Sequence, residues 1–305
     1  MPVGAYAVAS DTGRRRRRNE DNYVVAPPLF AVADGMGGAK AGEIASGLAA
    51  AALKETDGSG SDGEERAAAL IQEANRRVFR RANEDREASG MGTTVTVAIV
   101  EDDRVAFGHV GDSRAYLIRE GDIEQLTDDH SLVAELVRGG KLTPEEAESH
   151  PQRSVITRAV GTEPDVDVDT FSVEPRPGDL FLICSDGLTD MVDDGTIIRA
   201  VEKHREDLNE AAKALVGAAN RGGGEDNITV VFFEPTDAPP EDTAVTQAAD
   251  ALDPEPPAVD DTLSGVDVPV VAEQPKRRGR ALPIMTALAV LLIIAAAVLW
   301  LLDHA

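Results

Sequence analysis

Cysteine and aromatic residues are scarce in this chain of 305 residues, which contains one cysteine, Cys184, and 4% Phe, Trp and Tyr. A single cysteine excludes an intramolecular disulfide and any zinc site built from several cysteines. A catalytic thiol is not favoured either, because Cys184 lies in an apolar run, where free cysteine behaves as a small hydrophobic residue. This cysteine usage fits a reducing compartment, so we expect the catalytic part of the protein to be cytoplasmic.

Positive charge is also scarce, since 30 Lys and Arg face 55 Asp and Glu and the formal net charge is -25. A chain this acidic does not bind nucleic acid nonspecifically, so we expect no nucleic-acid partner. Any phosphate group that the protein handles must be met by local features. Hydrophobic residues at 42% and charged residues at 28% are ordinary globular values and predict one sizeable core.

We expect no secretory signal, because residues 1–13 lack an apolar run. Composition changes after residue 235: residues 236–275 contain ten acidic residues, seven prolines and no Lys or Arg. Such a segment cannot bury enough apolar surface to fold, and we interpret it as a disordered, extended linker. The folded catalytic domain is therefore expected over residues 1–235.

A basic segment at residues 276–281 precedes the one long apolar run, residues 282–302, which holds 21 residues without a charge. As a helix this run would span about 30 Å, the thickness of the hydrocarbon core of a bilayer. The positive-inside rule places the basic segment in the cytoplasm. We therefore expect a single-pass anchor in the cell membrane, with the catalytic domain on the cytoplasmic side.

Short β-rich runs bounded by Gly, Pro and Asp alternate in groups with Ala-rich helical stretches, the longest of which cover residues 42–54 and 64–83. Strands come in adjacent runs, then helices, then strands again, which favours an α+β layered sandwich over an alternating parallel sheet. We predict strands at residues 6–10, 22–25, 29–33, 93–100, 104–110, 115–119, 180–184 and 229–233, and further helices at 196–202 and 207–219.

Aspartate recurs where these predicted strands end or begin, at Asp34, Asp112, Asp186 and Asp226. Each one alone is weak evidence, because Asp-Gly is a common turn dipeptide. Their repetition beside buried strands indicates that a rigid sheet delivers several carboxylates to one end of the fold. Hard divalent cations prefer such oxygen ligands, and the pattern suits Mg²⁺ or Mn²⁺.

Seven motifs follow one another along the chain, namely Arg-x-x-x-Glu-Asp (16–21), Asp-Gly-Met-Gly-Gly (34–38), Met-Gly-Thr-Thr (91–94), Gly-Asp-Ser-Arg (111–114), Ile-Thr-Arg-Ala-Val-Gly (156–161), Ser-Asp-Gly-Leu (185–188) and Glu-Asp-Asn-Ile-Thr (225–229). In this order the chain resembles the metal-dependent protein phosphatases of type 2C, in their bacterial form. The resemblance covers residues 4–234 approximately. It implies a four-layer α-β-β-α sandwich of two antiparallel sheets flanked by helices, with a binuclear metal centre at one end.

The resemblance also implies roles for individual residues. Asp34 would bridge two metal ions, Asp186 and Asp226 would hold the first, and the carbonyl of Gly35 would bind the second. Asp112 would form a third, weaker site together with Asp186. Further implied roles are metal contact through water for Glu20 and Asp21, phosphate binding for Arg16, and a mobile flap beside the cleft for residues 128–165.

From the resemblance we expect a phosphatase that hydrolyses phosphoserine and phosphothreonine on proteins. The nucleophile would be a hydroxide activated by two Mn²⁺ or Mg²⁺ ions, and a third site would bind another ion. Some family members carry His after the first Asp-Gly, whereas this chain has Met36, so the group that protonates the leaving oxygen stays open. We expect a monomer whose partners are phosphorylated proteins, including membrane serine/threonine kinases. Two alternatives are a metal-dependent hydrolase of small phosphate esters and a tethered pseudophosphatase that only binds.

Overall fold

The computed structural model describes residues 1–37, 41–56, 62–85 and 88–237. The predicted linker beyond its first two residues, the basic segment and the apolar span 282–302 lie outside these residues. Among the helices within the described ranges, none is both long and apolar enough to cross a membrane.

Eleven strands and seven helices are assigned within the described residues. The strands are β1 (Val3–Asp11), β2 (Asp21–Ala26), β3 (Leu29–Met36), β4 (Gly92–Thr93), β5 (Val95–Val100), β6 (Val105–Val110), β7 (Arg114–Arg119), β8 (Asp122–Gln125), β9 (Asp169–Val173), β10 (Leu180–Cys184) and β11 (Ile228–Pro235). The helices are α1 (Ala41–Glu55), α2 (Gly63–Glu84), α3 (Leu132–Arg138), α4 (Pro144–Glu148), α5 (Asp186–Thr189), α6 (Asp194–Lys203) and α7 (Leu208–Gly222).

The strands form two sheets in which every neighbouring pair is antiparallel. The first sheet has the order β1-β11-β10-β7-β8, and the second has the order β2-β3-β5-β6-β9, with β4 pairing to β3. Sequence separation is large in the first sheet, because β1 pairs along its length with the last strand, β11. The first and last strands of the domain therefore lie side by side.

Alternating apolar side chains give each sheet two buried faces. In β10, Phe181 and Ile183 face the other sheet, whereas Leu180, Leu182 and Cys184 face the helices α6 and α7. The space between the sheets is filled by aromatic rings, with Phe233 stacked on Phe30 at 4.5 Å between ring centroids. A second helical layer, α1 and α2, covers the outer face of the other sheet. The predicted sandwich of two antiparallel sheets flanked by helices is confirmed.

Strand and helix positions agree with the sequence prediction except for five short elements that it omits, namely β8, β9, α3, α4 and α5. The run predicted as one strand over residues 93–100 is broken at Thr94. At that point the chain turns to hydrogen-bond the segment that carries Asp34, since the Thr94 N–H donates to the Asp34 carbonyl at 2.8 Å. The break therefore serves the site described next.

Candidate metal centre and phosphate site

Carboxylates from both sheets meet in an open cleft of about 480 Å³ at one end of the sandwich. Asp34 lies near the end of β3, Asp112 two residues after β6, Asp186 at the start of α5, and Asp226 two residues before β11. The cleft is lined by Arg16, Glu20, Asp34, Gly35, Met36, Gly37, Asp112, Arg153, Ser154, Ile156, Asp186, Gly187, Asp190, Met191, Glu225 and Asp226. Strand ends thus deliver the acidic motifs to one place, as the sequence predicts.

Asp34 is held through its backbone by the threonines of the Met-Gly-Thr-Thr motif. Its N–H donates to Thr94 Oγ1 at 3.0 Å, and its carbonyl accepts from Thr93 Oγ1 at 2.8 Å. Thr94 in turn shares a hydrogen bond of 2.8 Å with the hydroxyl of Ser113, which follows Asp112. These contacts fix the positions of two acidic segments relative to each other and leave the Asp34 carboxylate available to the cleft.

Gly35 permits a close approach of backbone segments next to Asp34. A Cβ atom at this position would lie 2.1 Å from the carbonyl oxygen of Gly42 in α1. The Gly35 N–H donates to the Glu20 carbonyl at 3.1 Å, which joins the segment before β2 to the cleft. No larger residue fits here without moving α1, so the motif requires glycine for packing as well as for any metal contact.

Asp21 lies directly opposite Asp34 in the β2–β3 ladder and is buried beneath the cleft without lining it. Its Oδ2 accepts hydrogen bonds from Ser185 Oγ at 2.8 Å and Thr229 Oγ1 at 2.7 Å. Burial raises the pKa of Asp21 to about 6, and these two hydrogen bonds partly oppose the shift. The side chain therefore has one oxygen fixed by hydroxyl groups.

The cleft concentrates negative charge that no side-chain cation fully balances. Burial raises the pKa of Asp186 well above its ordinary value, and the neighbouring charges of Asp112 and Asp226 raise it further. Burial followed by the charge of Asp129 raises the pKa of Asp112 to about 6. Asp34 shows the same direction, caused by burial and then by the charge of Asp21. Like charges buried together oppose ionisation unless a cation joins them.

Three buried carboxylate oxygens in this region, Oδ1 of Asp21, Oδ1 of Asp112 and Oδ1 of Asp186, have no hydrogen-bond partner among the described residues. Buried carboxylate oxygens are normally paired, so these atoms fit a missing cation. Within the described ranges, no three His, Cys, Asp or Glu side chains are already gathered into a complete metal-binding group. Further oxygen ligands, such as the Gly35 carbonyl or water, would have to complete any coordination.

Arg16 supplies positive charge at the rim. Its Nη2 donates to Asp226 Oδ2 at 2.5 Å, and its side chain is half exposed. Burial is the largest single contribution and lowers the pKa of Arg16. The nearby Asp226, Glu20 and Asp34 together outweigh it, so the pKa is raised above its ordinary value. A half-exposed guanidinium beside a cleft can form paired hydrogen bonds with a phosphate group.

Two charged residues of the cleft lining, Arg153 and Asp190, lie outside the motifs found in the sequence. Arg153, between α4 and β9, lines the cleft, and its Nη2 lies 3.9 Å from Glu225 Oε2. Asp190 follows α5, and burial raises the pKa of its carboxyl group. Neither residue belongs to an acidic motif at a strand end, so the pattern that found the other carboxylates could not find them.

His130 joins the predicted flap to the loop that carries Asp112. The backbone N–H of His130 donates to the Gly111 carbonyl at 2.8 Å, and the backbone N–H of Gly111 donates to His130 Nδ1 at 3.0 Å. Because Nδ1 accepts, Nε2 carries the proton and donates to Asp169 Oδ2 at 3.0 Å. Nearby, Arg114 holds Asp129 through three hydrogen bonds, of 2.9 Å, 3.2 Å and 2.7 Å. The flap thus has a rigid root beside the cleft.

Of the eight residues predicted for the site, seven line the cleft and Asp21 lies just beneath it. The described contacts bring them together without assigning any of them a metal ligand role. Cys184 is buried in β10, and burial raises the pKa of its thiol to about 12, so it is not an available thiolate.

Comparison with known proteins gives a consistent result. The family model described as protein phosphatase 2C matches residues 15–219. The serine/threonine protein phosphatase PstP of Mycobacterium tuberculosis is 43% identical over 234 residues, which make up 76% of this chain and 45% of PstP. The serine/threonine phosphatase stp of Listeria monocytogenes is 42% identical over 236 residues, or 74% of this chain and 93% of stp.

A crystal structure of the catalytic domain of PstP in complex with two manganese ions has a TM-score of 0.70 at 39% identity, and the match covers 77% of this chain and 99% of that structure. The present chain accordingly corresponds to less than half the length of the M. tuberculosis protein and to nearly all of the L. monocytogenes one. The family match, the sequence identity to these relatives and the shared fold agree, and the chain belongs to the protein phosphatase 2C family.

Proposed function

We propose that this protein is a Mn²⁺- or Mg²⁺-dependent serine/threonine phosphatase that hydrolyses phosphoserine and phosphothreonine on proteins. The observation that carries the proposal is the cleft itself, where buried carboxylates with unpartnered oxygens lie beside a half-exposed arginine. The names of the relatives, and the manganese ions in one related crystal structure, support the same assignment.

The donor set suits two hard divalent cations and a weaker third one. When bound, such ions supply activation of a water nucleophile and neutralise charge on the phosphoryl oxygens. The residues that would hold them are Asp34, the Gly35 carbonyl, Asp186 and Asp226 for the principal pair, Asp112 with Asp186 for the third, and Glu20 and Asp21 through water.

Arg16 would bind a phosphoryl oxygen and orient the phosphate group for in-line attack. The hydrogen bonds from Ser185 and Thr229 fix one oxygen of Asp21 and leave the other, Oδ1, directed away from these donors. A phosphate dianion would be repelled by the cleft carboxylates alone, so substrate binding must depend on the cations. The buried, protonated Cys184 takes no part as a nucleophile.

Hydrolysis of a phosphothreonine peptide by the purified full-length protein tests the proposal. Activity should appear with added Mn²⁺ or Mg²⁺, disappear with EDTA, and return when excess metal is restored. Asp226→Asn should lose most of the activity while keeping its fold, because a charged ligand is removed from a site that must hold two dications. Full activity in EDTA, or in the variant, would contradict the metal assignment.

Two other functions are separated by the same preparation. A hydrolase of small phosphate esters would favour p-nitrophenyl phosphate over phosphopeptides in kcat/KM, which is the opposite of our expectation. A pseudophosphatase would bind phosphopeptides without turnover. Retention of Asp34, Asp186 and Asp226 supports an active enzyme, because a binding module has no need of all three.

The cellular location and the partners belong to the same proposal. Residues 282–302 would anchor the protein in the cell membrane, with the catalytic domain in the cytoplasm and membrane serine/threonine kinases among its substrates. Support comes from the sequence, namely the uncharged apolar span and the basic residues before it. Protease added outside intact cells should leave residues 1–235 uncleaved, and cleavage there would reverse the orientation.

A further inference from the structure

The side chain of Asn227 connects three backbone segments at the rim of the cleft. Its Nδ2 donates to the carbonyls of Thr12 and Arg18, at 2.9 Å and 2.8 Å, and its Oδ1 accepts from the Glu20 N–H at 2.7 Å. The residue is 3% exposed, so all three hydrogen bonds are shielded from water. We call residues 13–18 the arginine loop. Asn227 thus holds Thr12, just before the loop, and Arg18, its last residue.

The middle of the arginine loop is held as tightly as its ends. The N–H groups of Arg14 and Arg15 both donate to the Gly224 carbonyl, at 2.8 Å and 3.1 Å. Gly13 adopts a φ of +76°, and a Cβ atom there would lie 2.1 Å from the Asp226 carbonyl oxygen. The loop therefore packs directly on the segment before β11 that carries Asp226 and Asn227.

This docking determines where Arg16 stands. With both ends and the centre of the loop fixed, the guanidinium is kept within hydrogen-bond distance of Asp226, at 2.5 Å, on the rim of the cleft. A flexible loop would have to lose conformational freedom each time that it bound a phosphate group. A loop fixed in advance avoids this loss and binds more tightly.

We propose that Asn227 is a positioning residue for substrate phosphate, acting through the arginine loop and Arg16. The inference rests on the proposed function, because it assumes that Arg16 receives the phosphate. It gives a role to the arginine loop beyond the surface ion pairs that Arg15 forms with Glu225 and Arg18 with Glu43.

An effect on metal ligands can be separated from an effect on the loop. The contact of residue 227 with Asp226 is made by its backbone, whose N–H donates to Asp226 Oδ1 at 2.8 Å, so it survives side-chain substitution. Asn227→Asp keeps an acceptor for the Glu20 N–H and removes the two donors to Thr12 and Arg18. Asn227→Ala removes all three contacts.

The first measurement is steady-state kinetics of the full-length protein with saturating Mn²⁺ and a phosphothreonine peptide. Both Asn227 variants should raise KM about five- to tenfold, because two or three of the hydrogen bonds that organise the site are lost, with kcat and the half-saturating Mn²⁺ concentration little changed. Asn83→Ala, which removes an amide that bonds only within α2 at the Phe79 carbonyl, serves as the matched control. A changed Mn²⁺ requirement with unaltered KM would overturn the inference.

The second measurement combines Asn227→Asp with Arg16→Ala. If Asn227 acts through Arg16, the double variant should have the same KM as Arg16→Ala alone. Independent, additive effects would show that Asn227 does not act through this arginine and would overturn the proposal.

The third measurement needs neither metal nor substrate. Trypsin cuts after arginine, so the docked arginine loop should resist cleavage in EDTA, and Asn227→Asp should be cut faster there than wild type or Asn83→Ala. An equal cleavage rate would refute the docking role even if the enzyme is active. A wild-type protein without phosphatase activity would instead refute the proposed function, so the two failures are distinguishable.

Discussion

Buried carboxylates occur in two environments in this domain. Asp179 is 1% exposed and accepts two hydrogen bonds from Arg119, at 2.8 Å and 2.6 Å, and one from the Arg176 N–H at 2.7 Å. Asp186 is only partly buried as a residue, but its Oδ1 is buried without a partner in the described part of the chain, and the charges of other carboxylates lie nearby. The environment of Asp179 stabilises the fold, whereas that of Asp186 destabilises the fold unless a cation is bound.

This contrast predicts opposite effects of the same substitution. In EDTA, Asp186→Asn should raise the free energy of unfolding by about 1 kcal/mol, or Tm by about 2–4 °C, because a repelled buried charge is removed. Asp179→Asn should lower the free energy by about 3 kcal/mol, because it leaves Arg119 without its partner. Thermal denaturation in EDTA measures both, and Mn²⁺ should stabilise wild type more than Asp186→Asn. A destabilised Asp186→Asn protein in EDTA would contradict the interpretation.

His109 predicts a pH dependence of stability. It is fully buried beneath the flap, bonded to Thr96 Oγ1, and its ring faces His130, while Asp129, Asp169 and the Asp128 carbonyl are its other polar neighbours. Burial, with a smaller contribution from His130, lowers its pKa from 6.5 to about 4.

Between these two values the unfolded chain binds more protons at His109 than the folded one does, so the neutral ring's contribution to stability decreases as pH falls from about 6.5 to 4. His109→Gln should remove this component. The difference in unfolding free energy between wild type and variant should therefore shrink toward pH 4. Urea denaturation at several pH values measures it, and a difference independent of pH would disprove the assignment.

At the scale of elements, the flap root is the clearest junction between a surface segment and the sandwich. His130 uses its N–H, carbonyl and both ring nitrogens, bonding Gly111, Thr157 and Asp169. Ser131, the residue after His130, forms an isolated β-bridge with Ile156, which lines the cleft. The wall of the cleft on the flap side therefore depends on this one histidine.

His130→Ala should loosen the flap without disturbing the sheets. We expect faster hydrogen exchange at residues 130–132 and 155–157 and a higher KM for phosphoproteins. The change for p-nitrophenyl phosphate should be smaller, because so small a substrate should contact the flap less. His204→Ala, at the end of α6, is the control because it lies outside the flap and the cleft lining. Equal loss for both substrates with unchanged exchange would count against a flap role.

The prediction from sequence was strongest for elements whose residues alternate between two apolar layers. β10 and β5 are buried along their whole length, and their composition alone identifies them. β8 has the sequence Asp-Ile-Glu-Gln and is mostly exposed, so only its pairing with β7 makes it a strand. The short helices α3 and α4 bury no residue and are defined by the capping groups Ser131 and Thr143.

The same distinction applies to the site. Asp34, Asp112, Asp186 and Asp226 could be predicted because each adjoins an apolar strand that brings it to the cleft. Arg153 reaches the cleft through tertiary packing of an irregular segment, which no local pattern encodes. Asn227 is in a motif, but its partners are carbonyl and N–H groups more than 200 positions away, and sequence gives no sign of such bonds.

For the whole molecule, the proposed membrane anchor and linker would determine which substrates the protein meets. A flexible linker with the length of residues 236–275 has a root-mean-square reach of roughly 35 Å, and charge repulsion extends it. The catalytic domain would then search a small volume above the membrane, and membrane phosphoproteins would be present there at high effective concentration.

A chain ended after Pro275 should therefore appear in the soluble fraction with kcat/KM on a free phosphopeptide unchanged. Its rate on a phosphoprotein reconstituted in the same vesicles should fall below that of the full chain, because co-localisation is lost. Replacing residues 282–302 with an unrelated apolar span of equal length is the control and should restore the rate. Equal rates for truncated and full-length enzyme on the vesicles would exclude a role for anchoring.

The pairing of β1 with β11 makes the order of synthesis matter. The first strand leaves the ribosome more than two hundred residues before the strand beside which it must lie, from Tyr6 opposite Phe233 to Asp11 opposite Ile228. Closing so long a loop is slow, and it must wait for the last segment of the domain. That segment also brings Asp226, and its docking fixes Arg16. A nascent chain that lacks this last segment therefore has neither Asp226 nor the contacts that fix Arg16, and its cleft is incomplete.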